Sequence, residues 1–120
     1  MTTIIIAAMQ DSILTFESSK TGWKTQESLK GTSPQCIAFD PSNANRAYCG
    51  TFGDGLWKTD DSGQTWDSIG KNSSSGISSK DVTSVAVSHH HLKRGNNEFN
   101  TVYVGTEPTA LYRSDDIYLD

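Results

Sequence analysis

Leu56-Trp57-Lys58-Thr59-Asp60-Asp61-Ser62-Gly63-Gln64-Thr65-Trp66 reads as a short strand, a polar turn and a second strand that opens on an aromatic. Asp61 can accept hydrogen bonds from the backbone that follows it, and Gly63 can take the positive φ that closes the turn. Leu56 and Trp57 before the turn, and Thr65 and Trp66 after it, suit a pleated, half-buried surface. The stretch therefore predicts a β-hairpin.

Working outward, parts of this hairpin recur along the chain. Tyr48-Cys49-Gly50-Thr51 returns 55 residues later as Tyr103-Val104-Gly105-Thr106, and Leu56-Trp57-Lys58-Thr59-Asp60-Asp61 returns at the same offset as Leu111-Tyr112-Arg113-Ser114-Asp115-Asp116. Cys36-Ile37-Ala38-Phe39 resembles Ser84-Val85-Ala86-Val87 at an offset of 48, and the difference fits a longer loop through His89–Asn97. Shifted back by 43 residues without a gap, Ile5-Ile6-Ala7-Ala8 falls under Tyr48–Thr51, Ile13-Leu14 under Leu56-Trp57, and Trp23 under Trp66. Phe16, Ser18, Lys20 and Gly22 then occupy the polar turn positions. Each unit reads as strand, loop, strand ending in Gly-Thr, loop, strand, turn, strand, a spacing that suits stacked β units. Strands are predicted near Thr3–Ala8, Ser12–Phe16, Trp23–Glu27, Gln35–Phe39, Arg46–Thr51, Gly55–Thr59, Thr65–Ile69, Val82–Ser88, Thr101–Thr106 and Ala110–Ser114. Lys71–Gly76 reads as a connector, and no amphipathic helix is expected.

Thr59, Asp61, Gly63, Thr65 and Trp66 fill every fixed position of Ser/Thr-x-Asp-x-Gly-x-Thr-Trp, and the hairpin resembles the Asp box, or BNR repeat. That motif occurs in sialidases, sortilin-type receptors, xyloglucanases and the photosystem II assembly factor. The resemblance implies an all-β fold of two to three four-stranded antiparallel β-propeller blades, a fragment of a larger propeller. Residues 1–29 would be a partial blade with a degenerate Asp box, 30–76 a complete blade, and 77–120 a blade cut within its Asp box. In that last unit Ser114 and Asp116 begin the motif, but Ile117-Tyr118-Leu119-Asp120 stands where Gly-x-Thr-Trp should follow. The resemblance also implies a structural motif, in which the Asp and Thr bond the turn backbone and the Trp packs between blades.

Composition narrows the function. Hydrophobic residues make up 34% of the 120 residues and there are ten glycines, which favours short strands and many turns. A net charge of -4 argues against nucleic acid, which needs a basic face. The N-terminal apolar run Ile4–Ala8 is too short to span a bilayer and lacks a charged leader, so no membrane is expected and a cytoplasmic location is favoured. Cys36 and Cys49 are the only cysteines; free thiols are expected, although neighbouring strands leave a bridge open.

Candidate chemistry is sparse. In His89-His90-His91 only alternate residues share a strand face, so two imidazoles at most could meet, and a solvated loop is expected in place of a metal site. Asp11, Asp54 and Glu107 follow equivalent strands and could form an acidic rim on one loop face. The resemblance to sialidases would require an arginine triad, but Arg46, Arg94 and Arg113 sit in no such context. Neither a catalytic residue nor a metal or cofactor is expected. The expected function is a non-catalytic β-propeller segment acting as scaffold or as a protein- or glycan-binding module. The alternative is a fragment of a sialidase- or xyloglucanase-like glycoside hydrolase whose catalytic residues lie mostly outside this segment. Further blades or self-association are expected, with Ile4, Ile5 and Ile6 as a strand buried on both faces.

Overall fold

The computed structural model describes residues 2–69, 79–94 and 97–114, with the backbone alone described for 89–94, 97–99 and 114. Its ten strands form three antiparallel sheets. The first contains β1 (Ile4–Ala8), β2 (Ile13–Ser19) and β3 (Gly22–Ser28); the second contains β4 (Pro34–Asp40), β5 (Asn43–Thr51), β6 (Gly55–Thr59) and β7 (Asp67–Ile69). The third has β9 (Asn97–Thr106) between β8 (Val82–Arg94) and β10 (Ala110–Ser114). The all-β expectation holds, and every predicted strand has a counterpart. Among the described residues there is no helix, hence none long and apolar enough to cross a membrane, and the strands close into neither a barrel nor a ring.

Three details differ from the sequence expectation. Phe16 and Ser18, aligned with turn positions, instead pair with Thr25 and Trp23, and the ladder runs to Ser19↔Gly22. Phe16, Ser18 and Gly22 stand where the second sheet has Thr59, Asp61 and Thr65, so no such side chains hold a wide turn open and the strands zip down to a tight turn over Lys20-Thr21, where Ser19 Oγ donates to the Gly22 carbonyl at 3.0 Å. Second, the expected loop after Ser88 is strand: β8 and β9 pair out to Arg94↔Asn97, with a register irregularity between Val87 and His91. Third, the gapless alignment of the N-terminus is one residue out. Gly50 pairs with Leu56 and Gly105 with Leu111, whereas Ile13 pairs with Ala8 and not with Ala7. A one-residue slip sends each side chain to the other face of a strand. Ile5 consequently points outward, 47% exposed, while Ile4 and Ile6 are half-buried, so β1 is not covered on both faces.

The second sheet is the middle layer. On one face Tyr48 and Leu56 are buried against Val82, Val102 and Val104 of the third sheet, with Ile69, Val85, Val87 and Tyr112 packed around them. Gly50 lies on that face, where a Cβ would meet Val82 Cγ1 at 2.5 Å. The opposite face carries the buried Ala47, Cys49 and Thr59. Cys36 pairs with Gly50 and Ile37 with Cys49, so the two thiols point to opposite faces and both are free. Burial pushes the Cys49 thiol up to about 12, which keeps it protonated and inert.

A buried polar link joins the second and third sheets. Asn100, 2% exposed, donates through Nδ2 to Asp40 Oδ1 at 2.6 Å and to Ser42 Oγ at 3.0 Å. Asp40, itself 5% exposed, also accepts from the Ser42 N–H and faces Arg46 Nη1 at 3.5 Å. Burying this carboxylate is tolerable because its oxygens are met by donors.

The second and third sheets share their hydrogen-bond register. Each has an irregularity at the same place in its first pair, between Pro34 and Cys36 in one and between Val82 and Ser84 in the other. Each closes its next loop with the same backbone bond, Phe52 N to Ser33 O at 2.8 Å and Glu107 N to Asp81 O at 2.9 Å.

Candidate functional site

The turn between β6 and β7 is built on two side chains. Thr59 Oγ1 donates to Asp61 Oδ1 at 2.8 Å and accepts from the Gly63 N–H at 2.9 Å. Asp61 accepts from the Thr65 N–H at 2.9 Å and from Thr65 Oγ1 at 2.6 Å. Ser62 and Gly63 both take positive φ, 61° and 89°. Gly63 is required twice over, because a Cβ there would also lie 2.7 Å from Thr15 Oγ1.

Neighbouring elements clamp the turn from outside. Gln26 Nε2 of β3 donates to the Gln64 carbonyl at 2.8 Å, and Thr15 Oγ1 of β2 reaches the Gly63 carbonyl at a long 3.5 Å. From the start of β5, past its corner with β4, Asn45 accepts from the Ser62 N–H through its carbonyl at 3.0 Å and from Ser62 Oγ through Oδ1 at 2.9 Å. The turn thus joins the first sheet to the second. Trp66 is partly buried, and its buried Nε1 makes no hydrogen bond.

Beside the turn lies a cleft of ≈ 810 Å³, with Ile4 and Glu17 on the first sheet's wall and Phe39, Asp40, Asn45 and Asp61 on the other. Its carboxylates are largely committed. Asp61 serves the turn and Asp40 serves Asn100 and Arg46. Nearby Asp60 is engaged by Arg46 Nε at 2.8 Å and Lys58 Nζ at 3.3 Å. Partial burial disfavours the Asp60 anion, but the hydrogen bond from Arg46 and the charge of Lys58 outweigh it and hold the carboxyl below 3.8.

Hydrogen bonding also pulls Asp61 below 3.8, chiefly from the Thr65 hydroxyl, against a small opposing effect of burial. A depressed folded value contributes stability that is complete above the unfolded value and lost as pH falls through the folded one. The carboxylate is exposed to solvent, which screens the effect. Asp61→Ala is expected to lower stability by only about 1 kcal/mol. Asp61→Asn is expected to flatten the decline of the melting temperature below pH 3.8. Thermal melts across an acid series check this; an unchanged acid slope in the Asn variant would show that the carboxylate supplies none of it.

Asp11, Asp54 and Glu107 lie exposed in the loops β1–β2, β5–β6 and β9–β10. Backbone bonds place these loops at one end of the stack: Gly31 N donates to Asp11 O, Gly53 and Gly55 both donate to Lys80 O, and Glu107 N donates to Asp81 O. The three side chains share an end but form no cluster, and among the described residues no group of three His, Cys, Asp or Glu could hold a metal. The side chains of His89–His91 and Ser114, and all of Asp116 and Lys71–Gly76, lie outside the described residues. Sequence reasoning missed the outer clamp. Gln26 and Asn45 carry no motif, and only the folded arrangement brings them to the turn.

No protein-family model matches this chain, and a search of curated proteins finds no match either.

Proposed function

We propose that this chain is a non-catalytic scaffold segment of the Asp-box β-propeller kind, which presents a protein or glycan ligand with loops from successive sheets. One observation carries this: the third sheet repeats the register of the second, including its irregularity and the bond that closes its loop. Reuse of one backbone unit is the mark of a stacked repeat. In such an array Thr59, Asp61 and Thr65 spend their polar atoms on the turn itself, and the exposed Asp11, Asp54 and Glu107 are the side chains offered to a ligand. A glycan array and a panel of candidate proteins, probed with the chain, test this. The triple variant Asp11→Asn, Asp54→Asn, Glu107→Gln is expected to lose about tenfold or more in affinity with an unchanged melting temperature, whereas Asp61→Ala should do the reverse. Turnover of an aryl glycoside that Asp54→Asn or Glu107→Gln abolishes would overturn the non-catalytic assignment.

A further inference from the structure

The two outer faces of the stack are the two halves of a contact that the chain already makes within itself. On the second sheet, Tyr48, Gly50 and Leu56 share a face with Cys36 and Ala38, and the third sheet covers it. On the third sheet the register-equivalent residues are Tyr103, Gly105, Leu111, Ser84 and Ala86. That face is open: Leu111 is 74% exposed where Leu56 is 1%, and Tyr103 is 37% exposed where Tyr48 is 1%.

The complementary half is at the other end. The third sheet covers the second with a face that includes Val102 and the cross-strand pair Val104–Tyr112. In the first sheet, once its one-residue slip is allowed for, Ile5 and the pair Ala7–Leu14 hold the same ladder positions, on the face that also carries Phe16 and Trp23. That face is open too, with Ile5 47% and Trp23 56% exposed. Among the described residues, four of the seven exposed large hydrophobics lie on these two faces, so the exposure is concentrated where the internal precedent puts a contact.

We infer that the outer face of the third sheet docks on the outer face of the first sheet of a second copy of this chain, head to tail. The occupant is a second copy because its first sheet offers the partner face that the third sheet lacks, and because the same pair of face types already packs between the second and third sheets. The contact joins unlike patches, so it propagates around a ring or along a filament in place of closing as a like-with-like pair. It does not depend on the ligand-binding role of the loops.

Analytical ultracentrifugation of the full chain from micromolar to near-millimolar concentration tests this. The wild type is expected to associate. Leu111→Lys and Ile5→Lys, each on one face only, are each expected to weaken self-association by about tenfold or more. Mixed in equal amounts, they should form a one-to-one dimer, because each variant supplies the face that the other has lost. Tyr103→Lys and Trp23→Lys serve in their place should either variant lose its wild-type melting curve. A wild type that stays monomeric throughout overturns the inference. So does a Leu111→Lys or Ile5→Lys chain that associates as strongly as wild type, or a mixture that forms no dimer.

Discussion

Tyr48→Ala is expected to cost about 3–5 kcal/mol of folding stability, as truncation of a large buried side chain does when its surroundings cannot collapse into the space. Tyr48 is 1% exposed and stands in the cluster that joins the second sheet to the third, between Leu56 and the valines of β8 and β9. Against a total stability of about 5–15 kcal/mol, the loss should lower the thermal midpoint by roughly 10–20 °C. Tyr103→Ala is the internal control. It removes the same side chain from the same ladder position, but from a face that is 37% exposed at that residue, and it should cost well under about 1 kcal/mol. Alkaline titration gives a second readout. Burial, reinforced by the charges of Asp40 and Asp60 against the opposing Arg46, pushes the Tyr48 phenol up to about 12. A raised folded value contributes stability that is complete below the unfolded value and lost as pH rises through the folded one. Wild-type stability should therefore fall away above pH 10 as the solution approaches 12, and Tyr48→Phe should reduce that fall. Equal losses from Tyr48→Ala and Tyr103→Ala would show that the two faces do not differ as described.

The contrast between equivalent positions explains how much the sequence discloses. The strands were legible because runs such as Tyr48–Thr51 and Tyr103–Thr106 are short and apolar and are closed by turn residues. Local pattern cannot say which copy is covered, because Leu56 and Leu111 sit in nearly identical strings and differ only in what lies above them. The register of β1 was illegible for a related reason. Its loop to β2, Met9-Gln10-Asp11-Ser12, contains no Gly or Pro to mark its length, and one residue decides which face Ile5 takes. The extension of β8 through His89–Arg94 was hidden by polar composition, which reads as loop unless a partner strand is known.

At the turn, local turn chemistry pointed to Asp61 and Gly63, and the resemblance to the Asp box added Thr59 and Thr65. They bond within eight residues of one another, so their chemistry is local. What holds the turn in place comes from far along the chain: Gln26 is 38 residues from Gln64, and Thr15 is 48 from Gly63. Neither residue type is rare enough to signal such a role.

Gly50→Ala is expected to be damaging out of proportion to the single methyl it adds. Its Cβ would lie 2.5 Å from Val82 Cγ1, 3.2 Å from Val82 Cβ and 2.7 Å from Cys36 Sγ. The Cys36 thiol can rotate away. Val82 cannot, because the crowding includes its Cβ, which no rotamer moves, and because its branched side chain is stiff and fully buried. The third sheet must back away from the second, an overpacking cost of about 1–3 kcal/mol. The lower chain entropy of Ala in the unfolded state offsets only about 0.4–1 kcal/mol of that. At the equivalent Gly105 an added Cβ meets only Ser84, its Oγ closest and its Cβ at an ordinary 3.8 Å. Rotation of the exposed hydroxyl relieves that contact, so Gly105→Ala should be nearly neutral. Val82→Ala in the Gly50→Ala background should recover part of the loss, giving a double variant more stable than the sum of the two single changes predicts. Chemical denaturation of the four variants beside the wild type measures all of these terms. A Gly50→Ala protein as stable as Gly105→Ala would mean that the two sheets are not in contact at Val82.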